Sequence, residues 1–496
     1  MLIKRFITVV LLCSYSLGWA QEEKTVQDPF PEEIKRVTEH RVKIGGKSLD
    51  YIATTGTSNI YNKQHQKIGN IFYVAYTKKN AKKNRPITFA YNGGPGSASV
   101  WLHMGTFGPK RVVMDKEGFM PKPPYQAIDN AYSILDLTDI VFIDPVGTGY
   151  SRPGGEGDYQ DFHGTWEDIR TVSDFIRLYL TRNERWSSPK FLAGESYGTL
   201  RSAGIAYHMG QNLGVNFNGI ILISSILNYT LDEFDAGVNL QAPITLLPTY
   251  TATAYYHNKL GDRFASIDQA IAEAKQFALN DYALALLQGD NLAPEKRANV
   301  ATRLAELTGL SKDFILLNNL IIDMSTFVHH LRRDEGLTIG RLDSRFITEE
   351  IDAMKQPGYR DPSYMAIHGP YTESLMNYLS SELNFKSDLV YYILGGLIES
   401  WNTQELARDQ FDMSRKLRHA MLRNPDMKVF VANGYFDMAT PFFATEYNFS
   451  HMGLPSALKD NIQMTYYESG HMMYIREHDL IKLKDDLAAF FKFSLQ

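Results

Sequence analysis

The sequence predicts an α/β fold with a mostly parallel central sheet and a largely helical cap insertion. Three observations indicate this fold. Short apolar runs recur along the chain, and each ends in a Gly, Ser or Pro cluster; longer helical patterns separate several of these runs; and one segment, 231–405, has helical patterns with few strand-like runs. Apolar strands that alternate with helices are typical of a parallel sheet covered on both faces.

The predicted strands are short and rich in β-branched and aromatic residues, as buried strands are. Ahead of them, from His40 to Tyr76, β-rich stretches alternate with glycines and predict antiparallel hairpins. The strand rhythm returns after the helical segment, and a helical pattern closes the chain after Tyr474. The predicted sheet strands are Ile87–Tyr91, Ile140–Ile143, Phe191–Ala193, Gly219–Ile226, Lys428–Ala432 and Gln463–Tyr467.

Helical patterns divide into two groups. Trp166–Leu180 and Thr199–Leu213 lie between predicted strands of the core, whereas Ile267–Leu287 and Pro294–Leu310 lie in the insertion. This grouping predicts the organisation of the chain. The predicted segments are a leader at 1–20, the N-terminal part of the core at 21–230, a helical cap at 231–405 and the C-terminal part of the core at 406–496.

The first twenty residues have the pattern of a cleavable secretory signal. Lys4 and Arg5 precede the apolar run Phe6–Leu12, and the small residue Ala20 stands at the expected cleavage point. The run is too short to cross a bilayer, so we expect no membrane anchor after cleavage. Cys13, the only cysteine, lies in this leader. An exported protein without disulfides would suit a bacterial periplasm or the space outside the cell.

Composition excludes several other classes of function. The chain has 496 residues and a formal net charge of −5, with no basic stretch after the leader, so no nucleic-acid partner is expected. No HExxH motif or cluster of His and Asp appears, and we therefore expect no metal and no cofactor. Nothing in the sequence indicates an oligomeric state.

A G-x-S-x-G motif, Gly194–Gly198, follows the strand-like run Phe191–Ala193 and precedes a helical pattern. This strand–turn–helix setting is the one that a nucleophile elbow requires, because the turn leaves no room for side chains beside the serine. Ser196 is therefore the predicted nucleophile of an α/β-hydrolase.

A nucleophilic serine needs a base and an orienting acid, which follow it in the order Ser, Asp, His in this fold. Asp437 lies in the loop after the strand-like run Lys428–Ala432, and His471 lies in the loop after Gln463–Tyr467. Both loops would reach the carboxyl edge of the sheet, where the elbow also lies. We predict Asp437 and His471 as the partners of Ser196.

Charge that develops on the reacting oxygen needs two backbone N–H donors. One should be Tyr197, directly after the nucleophile, and the other should come from a Gly-rich loop after an earlier strand. Asn92–Gly96, which reads Asn-Gly-Gly-Pro-Gly, follows Ile87–Tyr91 and fits that loop. A phosphate-binding loop is the alternative, but the Lys-Ser/Thr ending is missing.

Taken together, the sequence resembles the serine carboxypeptidase family. The resemblance is carried by Asn92–Gly96, Asp144–Ser151, Gly194–Gly198, Asp437 and Gly470-His471, in the family's order. It implies that the N–H groups of Gly94 and Tyr197 form the oxyanion hole. It also implies that Asn92 and Glu195 bind the terminal carboxylate of a peptide substrate. Glu195 could do so only while protonated, because two carboxylates in contact repel, and this gives a reason for activity at acid pH.

Two positions depart from the family pattern in the carboxylate site. Thr106 stands where a second acid is common, and Ala90 replaces a tryptophan. Related enzymes act as aminopeptidases, esterases or acyltransferases, so these activities stay open as alternatives. An aminopeptidase would need acids for a protonated amine, and the insertion offers Asp232, Glu233 and Asp235. A non-catalytic envelope binding protein is a third possibility.

Overall fold

The computed structural model describes residues 28–231, 239–350, 361–395, 401–402 and 412–496. The leader predicted at 1–20 and the insertion acids Asp232, Glu233 and Asp235 lie outside these residues. No helix in the described part of the chain is long and apolar enough to span a membrane.

Within the described residues, ten strands form one central sheet and four more form two short hairpins. The strands are β1 (Lys35–Ile44), β2 (Lys47–Tyr61), β3 (Lys67–Lys78), β4 (Ile87–Tyr91), β5 (Lys110–Val112), β6 (Ala127–Asp129), β7 (Asp139–Asp144), β8 (Arg152–Pro153), β9 (Lys190–Ser196), β10 (Gly219–Ser225), β11 (Leu337–Ile339), β12 (Ile347–Glu349), β13 (Lys428–Gly434) and β14 (Ile462–Tyr467).

The strand order of the central sheet is β1-β2-β3-β7-β4-β9-β10-β13-β14, with β8 beside β3. The strands β1 to β3 are antiparallel hairpins, and β3 runs antiparallel to β7. The six strands from β7 to β14 along this order are parallel. The predicted mostly parallel sheet is therefore confirmed, and every strand predicted between Ile87 and Tyr467 belongs to its parallel part.

The described helices cover both faces of the sheet and fill the insertion. They are α1 (Val100–Leu102), α2 (Thr165–Arg182), α3 (Tyr197–Leu213), α4 (Gln241–Tyr256), α5 (Ile267–Phe277), α6 (Ala283–Gln288), α7 (Pro294–Thr308), α8 (Lys312–Leu317), α9 (Met324–His330), α10 (Pro362–Ser381), α11 (Ser414–Arg423), α12 (Phe442–His451), α13 (Ser456–Lys459) and α14 (Glu477–Ser494). The helical pattern predicted at Ile267–Leu287 corresponds to α5 and α6, which are joined by the π-helical turn Ala278–Tyr282.

Strand β9 shows why the central strands are apolar throughout. Phe191 and Ala193 face one core, in which Phe191 packs on Phe491 of α14 with ring centroids 4.5 Å apart. Leu192 faces the opposite core, which includes residues of α2 and α3. A strand covered on both faces loses the alternation of polar and apolar residues. The continuous apolar run in the sequence follows from this two-sided burial.

The helices α4 to α9 lie between β10 and β13 in the chain and share a core of their own. That core includes Phe436 and Met438, which flank Asp437. The insertion therefore packs directly against one of the loops that carry predicted site residues. The boundaries of this cap at 231 and 405 stay a prediction.

Candidate active site

Ser196 lies at the junction of β9 and α3 with φ 59° and ψ −131°. A positive φ is unfavourable for a residue with a side chain and is kept only where the surroundings impose it. The neighbouring glycines leave the space that such a tight turn needs. A Cβ on Gly194 would overlap the carbonyl group of Gly198, and a Cβ on Gly198 would lie 2.9 Å from the carbonyl oxygen of Tyr91. The G-x-S-x-G motif therefore forms the strained turn expected of a nucleophile elbow.

The loop after β4 packs against this turn. A Cβ on Gly93 would overlap the backbone nitrogen of Tyr197 and lie 2.7 Å from the carbonyl oxygen of Glu195. Gly94 has φ 103°, a conformation that favours glycine. Tyr197 is the first residue of α3, where backbone N–H groups have no partner within the helix. The loop and the first turn of α3 thus lie against each other beside the serine.

A buried ion pair fastens this loop to the elbow. Arg201 of α3 is 1% exposed, and its Nε donates to Oδ2 of Asp168 at 2.7 Å. Its Nη1 donates to the carbonyl oxygen of Asn92 at 2.6 Å, and the hydroxyl of Tyr197 donates to the same Asp168 at 3.0 Å. One arginine therefore joins the Gly-rich loop, α2 and α3 beneath the site.

Asp437 and His471 form a buried hydrogen-bonded pair, with Oδ2 of Asp437 2.8 Å from Nδ1 of His471. Asp437 is 0% exposed, and its Oδ1 accepts the N–H groups of Ala439 and Thr440 at 2.8 and 3.0 Å. The hydroxyl of Thr440 donates to Oδ2 at 2.6 Å. These donors fix the carboxylate and leave one oxygen directed at the histidine.

The imidazole of His471 has the surroundings that a general base requires. Burial lowers the pKa of His471, but the charge and hydrogen bond of Asp437 more than offset this, so the pKa is raised above its usual value. A proton held on Nδ1 by Asp437 leaves Nε2 as the acceptor. His471 and Ser196 line the same cleft, as the prediction requires.

A segment of the insertion holds the loop that carries Asp437. The N–H of Met438 donates to the carbonyl oxygen of Arg341 at 3.1 Å. The N–H of Ser344 donates to the carbonyl oxygen of Phe436 at 3.0 Å. The acid is thus bracketed on both sides by main-chain hydrogen bonds from one segment.

The same segment holds the loop that carries His471. The N–H of His471 donates to the carbonyl oxygen of Leu342 at 2.6 Å, and the N–H of Gly470 donates to Oδ2 of Asp343 at 3.0 Å. Asp343 in turn forms an ion pair with Arg345, with Nη2 2.7 Å from Oδ2, and the two side chains are 4% and 2% exposed. The Asp343–Arg345 ion pair therefore connects the insertion to the loop that carries His471.

We expect Asp343→Asn to lower the free energy of unfolding by about 3–5 kcal/mol, because it removes the buried partner of Arg345 and leaves only the carboxylate of Glu117, 3.9 Å from Nη1. Equilibrium unfolding in urea measures this change. Asp50→Asn is the matched control, since it removes an exposed pair with Arg41 and should change stability far less. Equal losses in the two variants would contradict the role given to the buried pair.

Glu195 lies beside the nucleophile and is 2% exposed. Burial raises the pKa of Glu195 to about 7, although the nearby His471 and the hydroxyl of Tyr474 oppose the shift. That hydroxyl donates to Oε2 of Glu195 at 2.6 Å, and the side chain of Asn92 also hydrogen-bonds to Glu195. The carboxyl group is therefore largely protonated below neutral pH.

Ser196, His471 and Glu195 open onto a cleft of about 390 Å³. The described residues that line the rest of the cleft are Asn92, Gly93, Gly94, Ser97, Trp101, Ile226, Tyr229, Arg341, Leu342, Asp361, Tyr364, Ile367, Leu394, Ala439, Thr440 and Met472. Thr106 is buried in the turn after α1, and Ala90 is buried within β4.

The structure brings all seven predicted site residues to one edge of the sheet: Asn92, Gly94, Glu195, Ser196, Tyr197, Asp437 and His471. Sequence reasoning missed Thr440, Tyr474 and the segment Arg341–Asp343. Thr440 stands three residues after Asp437, a spacing at which Asp and Thr side chains often form local turns, so a signal for it exists. No spacing in the sequence indicates the contacts that Tyr474 and Arg341–Asp343 make.

The parallel sheet carries a strained serine at the end of a central strand and a buried Asp–His pair at the same edge. This combination is typical of an α/β-hydrolase. Residues 51–281 match the family model described as serine carboxypeptidase, so this part of the chain is similar to that family.

Curated relatives match over a limited stretch. Carboxypeptidase Y homolog A of Coccidioides posadasii is 27% identical over 186 residues, which cover 37% of this chain and 30% of the relative. The lysosomal protective protein of Mus musculus is 24% identical over 191 residues, 37% of this chain and 34% of the relative. The chain thus spans about a third of the length of these relatives.

The crystal structure of a prohormone-processing carboxypeptidase from Saccharomyces cerevisiae superposes with a TM-score of 0.53. The two sequences are 14% identical, and the superposition covers 88% of this chain and 91% of the yeast chain. The two proteins share a fold, and the predicted α/β-hydrolase class is confirmed.

Proposed function

We propose that the protein is a serine-type carboxypeptidase that releases C-terminal residues from peptides. One observation carries this proposal: the strained Ser196, the imidazole of His471, which is held by Asp437, and the buried carboxyl of Glu195 line the same cleft. Given the leader predicted at 1–20, the substrates would be peptides of the periplasm or of the extracellular space.

In the proposed reaction, Ser196 attacks the carbonyl carbon of the last peptide bond while Nε2 of His471 takes the hydroxyl proton. Asp437 holds the proton on Nδ1 and stabilises the imidazolium that forms. The N–H groups of Gly94 and Tyr197 would donate to the oxyanion. His471 then protonates the leaving amino group, the C–N bond breaks, and water hydrolyses the acyl-enzyme by the same proton transfers in reverse.

Recognition of the free carboxylate would fall to Asn92 and Glu195. Oδ1 of Asn92 accepts the N–H of Leu102 at 3.0 Å, which leaves the amide NH₂ group to donate. A protonated Glu195 is a second donor, whereas an ionised Glu195 would repel the substrate. The raised pKa of Glu195 is therefore a requirement of this role.

Glu195→Gln should remove the alkaline limb of the pH profile of kcat/KM. In the native enzyme, protonation of His471 lowers activity on the acid side, and ionisation of Glu195 should lower it as pH rises through about 7. Glutamine stays neutral and can still donate, so the fall above pH 7 should disappear while the acid limb stays. Initial rates on a peptide with a free C-terminus, measured from pH 4 to 9, check this.

Tyr474→Phe provides a directional control for this profile. It removes a hydrogen bond that favours the ionised form of Glu195, so the alkaline limb should move to higher pH. An alkaline limb that is unchanged in both variants would show that another group causes it.

The direction of peptide trimming tests the proposed function. Residues 21–496 are incubated with one peptide that has free ends and with copies blocked at either end, and the products are identified by mass spectrometry. Stepwise loss from the C-terminus that stops when the C-terminus is amidated supports a carboxypeptidase. Loss from the N-terminus, or cleavage of esters alone, would overturn the assignment and favour an aminopeptidase or an esterase.

A further inference from the structure

Arg341 places a permanent positive charge on the wall of the cleft. Its main chain is fixed, because its N–H donates to Oδ1 of Asp361 at 3.1 Å and its carbonyl oxygen accepts the N–H of Met438. The side chain is half-buried and lines the same cleft as Ser196. Among the described residues, no acidic side chain forms an ion pair with its guanidinium.

Neither of the two acids that line the cleft in the described part of the chain forms an ion pair with this guanidinium. Asp361 accepts the N–H groups of Arg341, Leu342 and Ser363, and serves as the N-terminal cap of α10. Glu195 is largely uncharged below neutral pH and is held by Tyr474.

Arg341 is also close enough to the reacting groups to act on them. Its field lowers the pKa of His471, against the larger and opposite effect of Asp437. A substrate group that reached the guanidinium would therefore occupy the same cleft as Ser196 and His471. Arginine presents a planar set of N–H donors that matches a carboxylate in two parallel hydrogen bonds.

We propose that Arg341 binds a carboxylate of the peptide substrate, either the terminal carboxylate or an acidic side chain in one of the last two residues. This inference rests on the proposed function. It assigns to Arg341 the positive charge that neither Asn92 nor a neutral Glu195 provides for a bound carboxylate. In both cases the ligand is a carboxylate. It would bind in the same cleft as His471, to a guanidinium that forms no ion pair with the described residues.

Binding measured without turnover tests this role separately from the proposed activity. Calorimetric affinities are measured for the Ser196→Ala protein and for the same protein with Arg341→Gln, Arg341→Lys or, as a control, Arg41→Gln. Arg41 lies on β1 at the far edge of the sheet with its side chain 70% exposed. Three matched pairs of short peptides are compared: a free against an amidated C-terminus, Glu against Gln as the last residue, and Glu against Gln as the penultimate residue.

We expect Arg341→Gln to reduce the preference for the acid over its amide by about tenfold or more in at least one pair, which is the range of a charge-assisted hydrogen bond. The affected pair identifies the source of the carboxylate. Arg341→Lys should keep part of the preference, and Arg41→Gln should keep all of it. An unchanged preference in all three pairs, or an equal loss of affinity for acids and amides, would overturn the proposal. If binding depends on Arg341 in this way but no C-terminal residue is released by the native enzyme, the site stands and the carboxypeptidase assignment falls.

Discussion

Replacing Ser196 with alanine is expected to lower kcat by at least about 10⁴-fold, because no other group on the elbow can attack the peptide carbonyl. The substitution removes one oxygen atom from a side chain that lines the cleft, so the fold should be kept. Residual turnover in a purified, folded variant, measured over long incubations, gives the fold-change.

Covalent labelling distinguishes loss of the nucleophile from loss of structure. A fluorophosphonate should form an adduct on Ser196 of the native enzyme and should leave Ser196→Ala unlabelled. The control is Ser450→Ala, which changes an exposed serine on α12 and should be labelled and active like the native enzyme. Near-native turnover or labelling of Ser196→Ala would identify a different nucleophile and would remove the basis of the mechanism.

Asp437→Asn should lower kcat by about 10⁴-fold with the geometry of the site intact. The N–H groups of Ala439 and Thr440 would keep the amide oxygen in the place of Oδ1. The amide nitrogen would then face Nδ1 of His471, and two donors cannot share that hydrogen bond. The imidazole would carry its proton on Nε2, where it cannot act as a base.

The remaining activity of Asp437→Asn should also change its pH dependence. Since Asp437 raises the pKa of His471, the acid limb of the profile should move to lower pH in the variant. Asp460→Asn alters an exposed acid and serves as the control for charge alone. A loss of less than about tenfold in kcat, or an acid limb that does not move, would exclude Asp437 as the partner of His471.

The sequence by itself determined the sheet and the residues at its edge. A strand buried on both faces must be apolar along its whole length, so runs such as Ile87–Tyr91 and Phe191–Ala193 identify the central strands. Gly194 is required by its contact with the carbonyl group of Gly198, four residues along the chain, and such a local contact makes the elbow recognisable as a motif. The loops with Asp437 and His471 follow from the strands that precede them.

Only the tertiary structure decided how these loops are held and what charge the cleft presents. The segment Arg341–Ser344 comes from the insertion, yet it hydrogen-bonds to the loops of both Asp437 and His471. Tyr474 reaches Glu195 across 279 positions of the chain. Such contacts depend on how distant elements pack, and packing between distant elements leaves no periodic pattern in the sequence. The positive charge of Arg341 in the cleft is therefore a property of the fold that its place in the sequence does not reveal.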